Sequence, residues 1–258
     1  MIFSEQDLNQ YNKDGFLVRT DVFDNHALDI MCAEMEKLAQ PGKPGVVMET
    51  NGLIRALHGC HQESSVFDSV VRKAGLLEPA QQILGDSVYV HQFKINVKAA
   101  FGGDVWPWHQ DFIFWAKEDR VPEPGLINVA IFLDEVNEFN GPLHFIPGSH
   151  HEGMIDVLAA EDAKGWQANV SAKLKYTVPG ERVAQLVESN GCVAPKGPAG
   201  SVLFFHPNLV HGSVPNISPK NRRLAIVTYN RTDNLPQEKE NPRPEFLISR
   251  DYRPLMAV

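Results

Sequence analysis

An imidazole and a carboxylate two residues apart can bind one metal ion if the chain between them is extended, because alternate side chains of a strand share a face. His109-Gln110-Asp111 has that spacing and follows Trp106-Pro107-Trp108. Spacing alone is weak evidence. With 10 histidines and 32 acidic residues among 258, chance supplies roughly one His-x-Asp/Glu triplet, and the chain has three. His61-Gln62-Glu63 lies between helical stretches, and His150-His151-Glu152 sits in the turn-rich run Pro147-Gly148-Ser149, where a loop role competes with ligation. His109 and Asp111 need a third ligand from a distant strand. His211, in Leu209-Val210-His211-Gly212-Ser213 after the apolar run Ser201 to Phe205, is the candidate. Two imidazoles and one carboxylate form the set that holds non-haem Fe(II) with three positions left open for a cosubstrate and O2. The competing reading is two unrelated polar turns.

A cosubstrate with a free carboxylate needs a cation, and Arg222 follows His211 by eleven residues at the start of the strand expected over Leu224 to Tyr229. Arginine grips a carboxylate with two parallel hydrogen bonds. Its neighbour Arg223 competes for the role, since alternation sends the two to opposite faces and both faces of this strand are apolar. From His91 to Lys98 the alternation is clear: Phe93, Ile95 and Val97 on one face, Gln92, Lys94, Asn96 and Lys98 on the other. Either the polar face meets water, or it lines a barrel interior while the apolar face packs beneath helices, and then Gln92 and Asn96 reach ligand.

These residues need a frame. Leu28, Met31, Cys32, Met35 and Leu38 recur at helical spacing over His26 to Ala39, and a second helix is expected from Ser65 to Leu84. The first third of the chain therefore reads as helical. From Ser87 onward short β-branched and aromatic runs alternate with Gly, Pro and Asn, with strands expected at Val88 to Val97, Gly125 to Phe132, Leu143 to Ile146, Ser201 to Phe205 and Leu224 to Tyr229. The pattern implies an antiparallel β core buttressed by helices. The connection from His151 to about Pro195 is long and suits a segment that covers a site. No linker divides the chain, so residues 1–258 are expected to form one domain.

Composition excludes several function classes. A formal charge of -8 without a basic patch opposes nucleic-acid binding. No apolar run approaches the roughly 18 residues that cross a bilayer, and Met1 to Leu8 resembles no secretion signal. Cys32, Cys60 and Cys192 form no Cys-x-x-Cys pair and read as reduced thiols. A cytoplasmic protein acting on a small molecule, with no membrane or nucleic-acid partner, is expected.

Trp108-His109-Gln110-Asp111-Phe112, Trp115, Glu118-Asp119, Ile146-Pro147-Gly148-Ser149-His150, His211 and Arg222 together resemble the phytanoyl-CoA dioxygenase family of Fe(II)- and 2-oxoglutarate-dependent oxygenases. The resemblance covers most of the chain. It implies a mainly β double-stranded β-helix, a cupin-like jelly-roll, with N-terminal and flanking helices. It further implies Fe(II) on His109, Asp111 and His211, and 2-oxoglutarate held by Arg222, or failing that Arg223, together with Asn96. O2 would be the second cosubstrate. Gln92 and Trp115 would face substrate, and Arg243 in Asn241-Pro242-Arg243-Pro244-Glu245 would pair with an amino acid's carboxylate.

Within the family, Gln92 to Lys98 followed by Trp108-His109-Gln110-Asp111 is similar to the ectoine hydroxylases. Arg55 to His61, Tyr89 to Asn96, Phe132 to Val136, Ala194 to Ser201 and Val214 to Pro219 are similar to bacterial enzymes that hydroxylate free L-leucine at its 5-position. Ile113-Phe114 before Trp115, and Ala116 after it, depart from the polar pattern of the ectoine enzymes. The implied activity is hydroxylation of an unactivated aliphatic C–H bond in a free amino acid, leucine first, with an ectoine-like metabolite as the alternative. A non-catalytic jelly-roll that binds a metal or small molecule is the rival outside enzymology. Asp111 implies hydroxylation, since related halogenases carry a small residue there.

Overall fold

The computed structural model describes residues 2–160 and 165–258. Helix α1 (Glu5–Asp14) is closed at its start by a reciprocal pair in which Ser4 accepts from the Asp7 amide and Asp7 from the Ser4 amide. It leads into β1 (Phe16–Arg19), then α2 (Asn25–Leu38), capped by Asp24, and the hairpin β2 (Val46–Met48) and β3 (Ile54–His58). Three helices follow, α3 (Cys60–Glu63), α4 (Ser65–Val71) and α5 (Ala74–Leu84), then β4 (Val88–Lys98), β5 (Trp106–His109) and α6 (Asp111–Asp119). The remainder is β6 (Leu126–Phe132), β7 (Leu143–Phe145), β8 (Leu158–Ala159), β9 (Tyr176–Thr177), α7 (Gly180–Asn190), β10 (Val202–Phe205), β11 (His211–Ser213) and β12 (Arg222–Arg231).

A seven-stranded antiparallel sheet runs β1-β10-β6-β12-β4-β3-β2, and a three-stranded sheet runs β5-β11-β7. Period-two alternation divides the large sheet between two environments. Phe93, Ile95, Val129, Ile131, Phe204, Ala225 and Val227 pack against Leu28, Met31, Phe67, Leu76 and Leu77 of the helices. Their neighbours Ala130, Phe132, Leu203, Phe205, Leu224 and Ile226 face Leu143 and Phe145 of the small sheet. This is the expected jelly-roll with flanking helices, and the five expected strands lie within two residues of their observed ends.

Two expectations fail. The first third is not simply helical: β1, β2 and β3 pair onto the edges of the large sheet, a tertiary event that segments of three to five residues do not announce. The helix expected over Ser65 to Leu84 breaks at Arg72-Lys73, where Lys73 is extended. The carbonyls that end α4 bond elsewhere, Val71 to the Tyr229 hydroxyl and Arg72 to the Val258 amide. The covering segment carries helix α7 and also a short strand pair, β8 and β9, and its residues 161–164 lie outside the described residues. Among the described residues no helix is long and apolar enough to cross a membrane.

Candidate active site

His109 ends β5 and His211 opens β11, and the two are register partners in an antiparallel pair. That pairing sets their rings 4.2 Å apart between centroids, although 102 positions separate them in the chain. His109 and Asp111 do not share one extended segment, as the spacing suggested. Asp111 is the first residue of α6, and Gln110 alone keeps extended dihedrals between them. One extended residue suffices to turn both flanking side chains the same way. Gln110 points elsewhere, donating to the carbonyls of Gly153 and Asn208 and accepting from the Ile155 amide, which fixes the junction.

Candidate ligand atoms of His109, Asp111 and His211 all lie within 4.8 Å of one another, and all three residues are buried. The imidazole tautomers suit a metal. Nδ1 of His109 is 2.6 Å from the Pro107 carbonyl and Nδ1 of His211 is 2.9 Å from the Leu209 carbonyl, so each Nδ1–H donates and each Nε2 keeps its lone pair. Those Nε2 atoms lie 3.7 and 3.8 Å from the two Asp111 oxygens. Burial pushes the His211 pKa down to about 3, with His109 adding to the effect, which keeps the ring in its ligating neutral form. Burial pushes the Asp111 carboxyl up, but the Lys94 charge, with Nζ 3.6 Å away, and the neighbouring imidazoles outweigh it and hold the group well below the usual carboxylate range. Asn128 donates to Asp111 Oδ2 at 2.9 Å, and the Thr228 hydroxyl donates to Asn128 at 2.6 Å. This relay from β12 through β6 orients the carboxylate.

A cavity opens beside the three ligands. Gln92, Lys94 and Asn96 line it from β4, so the polar face of that strand does point inward while Phe93, Ile95 and Val97 pack beneath the helices. Arg222 lines it too. Its guanidinium is 1% exposed, donates to the Gly141 carbonyl at 2.6 Å and leaves Nε without a partner. Among the described residues no carboxylate forms an ion pair with it. Burial lowers its pKa to about 9, so it stays charged at neutral pH. Arg223 points to the other side and holds Asp134 through two bonds of 2.8 Å. The orphaned Arg222 Nε and Asn96 Oδ1 are unmet polar atoms inside the cavity. A site with three ligands, an uncompensated cation and spare hydrogen-bonding capacity fits iron with a diacid chelate.

The remaining expected residues also reach the cavity. Trp115 lines it and meets His91 edge to face at 5.5 Å, and Gln92 donates to the Leu247 carbonyl at 3.0 Å. Arg243 lines it as well, yet its Nε and one terminal nitrogen are committed to the buried Asp119 carboxylate. The other two His-x-acid triplets gather no metal cluster among the described residues: Glu63 pairs with Lys43 and Glu152 with Arg182.

Several lining residues escaped the sequence reading. Lys94 shares the parity of Gln92 and Asn96, and Asn128, which does not line the cavity but supports Asp111, is the one polar residue in the apolar run Leu126 to Phe132, so both carried a signal. His58, Phe114, Asn169, Val170 and Leu174 carried none as pocket residues, although the last three lie in the segment expected to cover the site.

A family model for phytanoyl-CoA dioxygenase (PhyH) matches residues 11–224. The chain is 41% identical to an L-proline trans-4-hydroxylase of Streptomyces griseoviridis over 253 residues, covering 96% of this chain and 94% of that one. It is 34% identical to an ectoine dioxygenase of Bordetella bronchiseptica, covering 99% and 86%. Two crystal structures of EctD from S. alaskensis superpose on it. The one with bound Fe gives a TM-score of 0.82 at 31% identity, with coverage of 99% and 87%. The one with 2-oxoglutarate and 5-hydroxyectoine gives 0.81 at 32%, with coverage of 99% and 86%. With a ligand triad that suits iron and a cation that suits the cosubstrate, the chain belongs to the phytanoyl-CoA dioxygenase family and is an Fe(II)- and 2-oxoglutarate-dependent dioxygenase.

Proposed function

We propose that the protein hydroxylates an unactivated aliphatic C–H bond of a free amino acid, with L-leucine at its 5-position and L-proline as the leading candidates. One observation carries the reading: one cavity joins the His109-Asp111-His211 cluster and Arg222, which has no ion-pair partner among the described residues, to an apolar wall of Phe114, Trp115, Val170 and Leu174. The same lining offers polar groups for a metal and a five-carbon diacid and an apolar wall for a small aliphatic side chain. Leucine rests on the local sequence runs, and proline on the relative named for it.

His109, Asp111 and His211 would hold iron, and Arg222 would hold the far carboxylate of 2-oxoglutarate, with Asn96 beside it. Iron and 2-oxoglutarate held there would allow O2 to be split, one oxygen atom entering succinate as 2-oxoglutarate loses CO2 and the other entering the substrate's C–H bond to give the alcohol. The chain's own contribution is position. Asn128 and Thr228 hold the Asp111 carboxylate, the apolar wall excludes water from the reacting carbon, and Arg243 presents charge toward a substrate carboxylate. Gln92 and Trp115 form the adjoining wall. Residues 1–258 act in this reading as one catalytic domain, since β1 near the start pairs into the large sheet and Arg243 near the end lines the cavity. Three thiols outside any disulfide suit a cytoplasmic setting.

An ectoine-like cyclic substrate is the second reading, favoured by the EctD likeness and opposed by the apolar Ile113-Phe114 pair. Anaerobic loading with Fe(II), followed by air, 2-oxoglutarate and a panel of proteinogenic amino acids plus ectoine, separates the two. We expect succinate release that rises with an aliphatic amino acid, and a mass gain of one oxygen atom in that amino acid. Product from ectoine alone rejects the amino-acid reading.

A further inference from the structure

His58 closes β3 with its side chain 6% exposed, lines the cavity, and has no hydrogen-bond partner on either ring nitrogen. Two unmet polar atoms on one buried ring are costly, and native structures tolerate them chiefly where something else completes the bonds. The register of the sheet decides where the ring points. His58 is the cross-strand partner of Lys94, and directly opposed residues share a face, so the imidazole stands beside the lysine on the inner side. Arg243 lines the same cavity. Burial pushes the His58 pKa down to about 3, and the Lys94 and Arg243 charges act in the same direction, so the ring is neutral and offers one N–H.

A neutral N–H donor beside Lys94 and Arg243 suits an anion, although each cation already meets a carboxylate, Lys94 that of Asp111 and Arg243 that of Asp119. That anion is not the far carboxylate of 2-oxoglutarate: Arg222 is the register partner of Lys98, four residues along β4 from the partner of His58, a span of roughly 13 Å at the strand rise. Resting on the amino-acid reading above, we propose that His58 is a substrate-binding residue that donates an imidazole N–H to the α-carboxylate of the amino acid, beside Lys94 and the Arg243 guanidinium. Its place makes it a determinant of specificity for free α-amino acids over their amides and esters.

The test compares wild type, His58→Phe and His58→Gln, loaded with Fe(II), on L-leucine, L-proline and the two carboxamides. Wild type should turn over one of the amino acids and discriminate against its amide. His58→Phe should raise the amino-acid KM about 10- to 100-fold with kcat changed less than threefold, leave the 2-oxoglutarate KM within twofold, and lose the preference for acid over amide. His58→Gln, which keeps a donor, should recover part of that loss. An unchanged amino-acid KM in His58→Phe, or a 2-oxoglutarate KM that rises in parallel, overturns the assignment. A second readout needs no folded variant: in Zn(II)-loaded wild type with 2-oxoglutarate, nitrogen-15 spectra of the histidine rings should show one further imidazole locked in a single tautomer on adding the amino acid, and no change there at saturation overturns it equally. If wild type hydroxylates no amino acid, the broader reading fails and takes this one with it. Hydroxylation indifferent to His58 removes only the subsite.

Discussion

Arg222 and Arg223 are adjacent on β12 and live in opposite surroundings: Arg222 is sealed in the cavity without a carboxylate, whereas Arg223 holds Asp134 from the other face of the strand. The two side chains therefore separate cosubstrate binding from stability. Arg222→Gln should raise the 2-oxoglutarate KM about 30- to 100-fold at unchanged melting temperature, consistent with losing charge-assisted bonds to a carboxylate. Arg223→Gln should leave that KM within threefold and lower stability by about 1 kcal/mol. Succinate-release kinetics and thermal melts on both variants check the division, and reversed behaviour would exchange their roles.

Asp111 is the only carboxylate in the ligand cluster. Asp111→Gly should abolish hydroxylation and iron retention together, and chelation of wild type should do the same reversibly. Iron content after desalting, measured beside product formation, decides this; normal product formation by the variant removes Asp111 from the iron shell.

The relay from Thr228 through Asn128 to Asp111 makes a milder prediction. Thr228→Val keeps the volume but removes the hydroxyl that fixes the Asn128 amide, and loss of such an outer partner costs about 10- to 100-fold in metal affinity. Iron titration should show that loss while the 2-oxoglutarate KM, read at saturating iron, stays near wild type.

Phe114 and Leu174 shape the apolar wall. Leu174→Ala should shift kcat/KM toward bulkier aliphatic amino acids by about 10- to 200-fold, the range that one or two methylenes command in a hydrophobic pocket. Competition assays with mixed amino acids and mass detection read this directly. A uniform fall for all substrates would place Leu174 outside the substrate wall.

Buried histidines set the acid limit of the fold. Burial holds His58, His91 and His206 each at about 3, against 6.5 in an unfolded chain. Between those values the unfolded state binds more protons than the folded one, so stability is full above pH 6.5 and falls as pH drops toward 3. Each ring contributes a slope of about 1.4 kcal/mol per pH unit in the middle of that window. Denaturant melts from pH 7 to pH 4 should show net proton uptake on unfolding, and His206→Asn should reduce the uptake by about one.

Much of the site was readable because strand alternation is a local rule. The parity that put Gln92 and Asn96 on one face of β4 and Phe93 and Ile95 on the other needs only the residues themselves, and the core strands followed from their apolar runs. The edge strands β1 to β3 were missed because short segments become strands only when a sheet edge receives them. The break at Arg72-Lys73 was missed because distant partners, Tyr229 and Val258, take the carbonyls of α4.

The amino-acid sequence by itself determined the ligand types, the inward polar face of β4 and, through its motifs, the family. The choice between Arg222 and Arg223, the meeting of His109 with His211, and the isolation of His58 in the cavity belonged to the tertiary structure. Each depends on which strands become neighbours, in what register, and which face the second sheet covers, and those relations exist only once the chain has closed on itself.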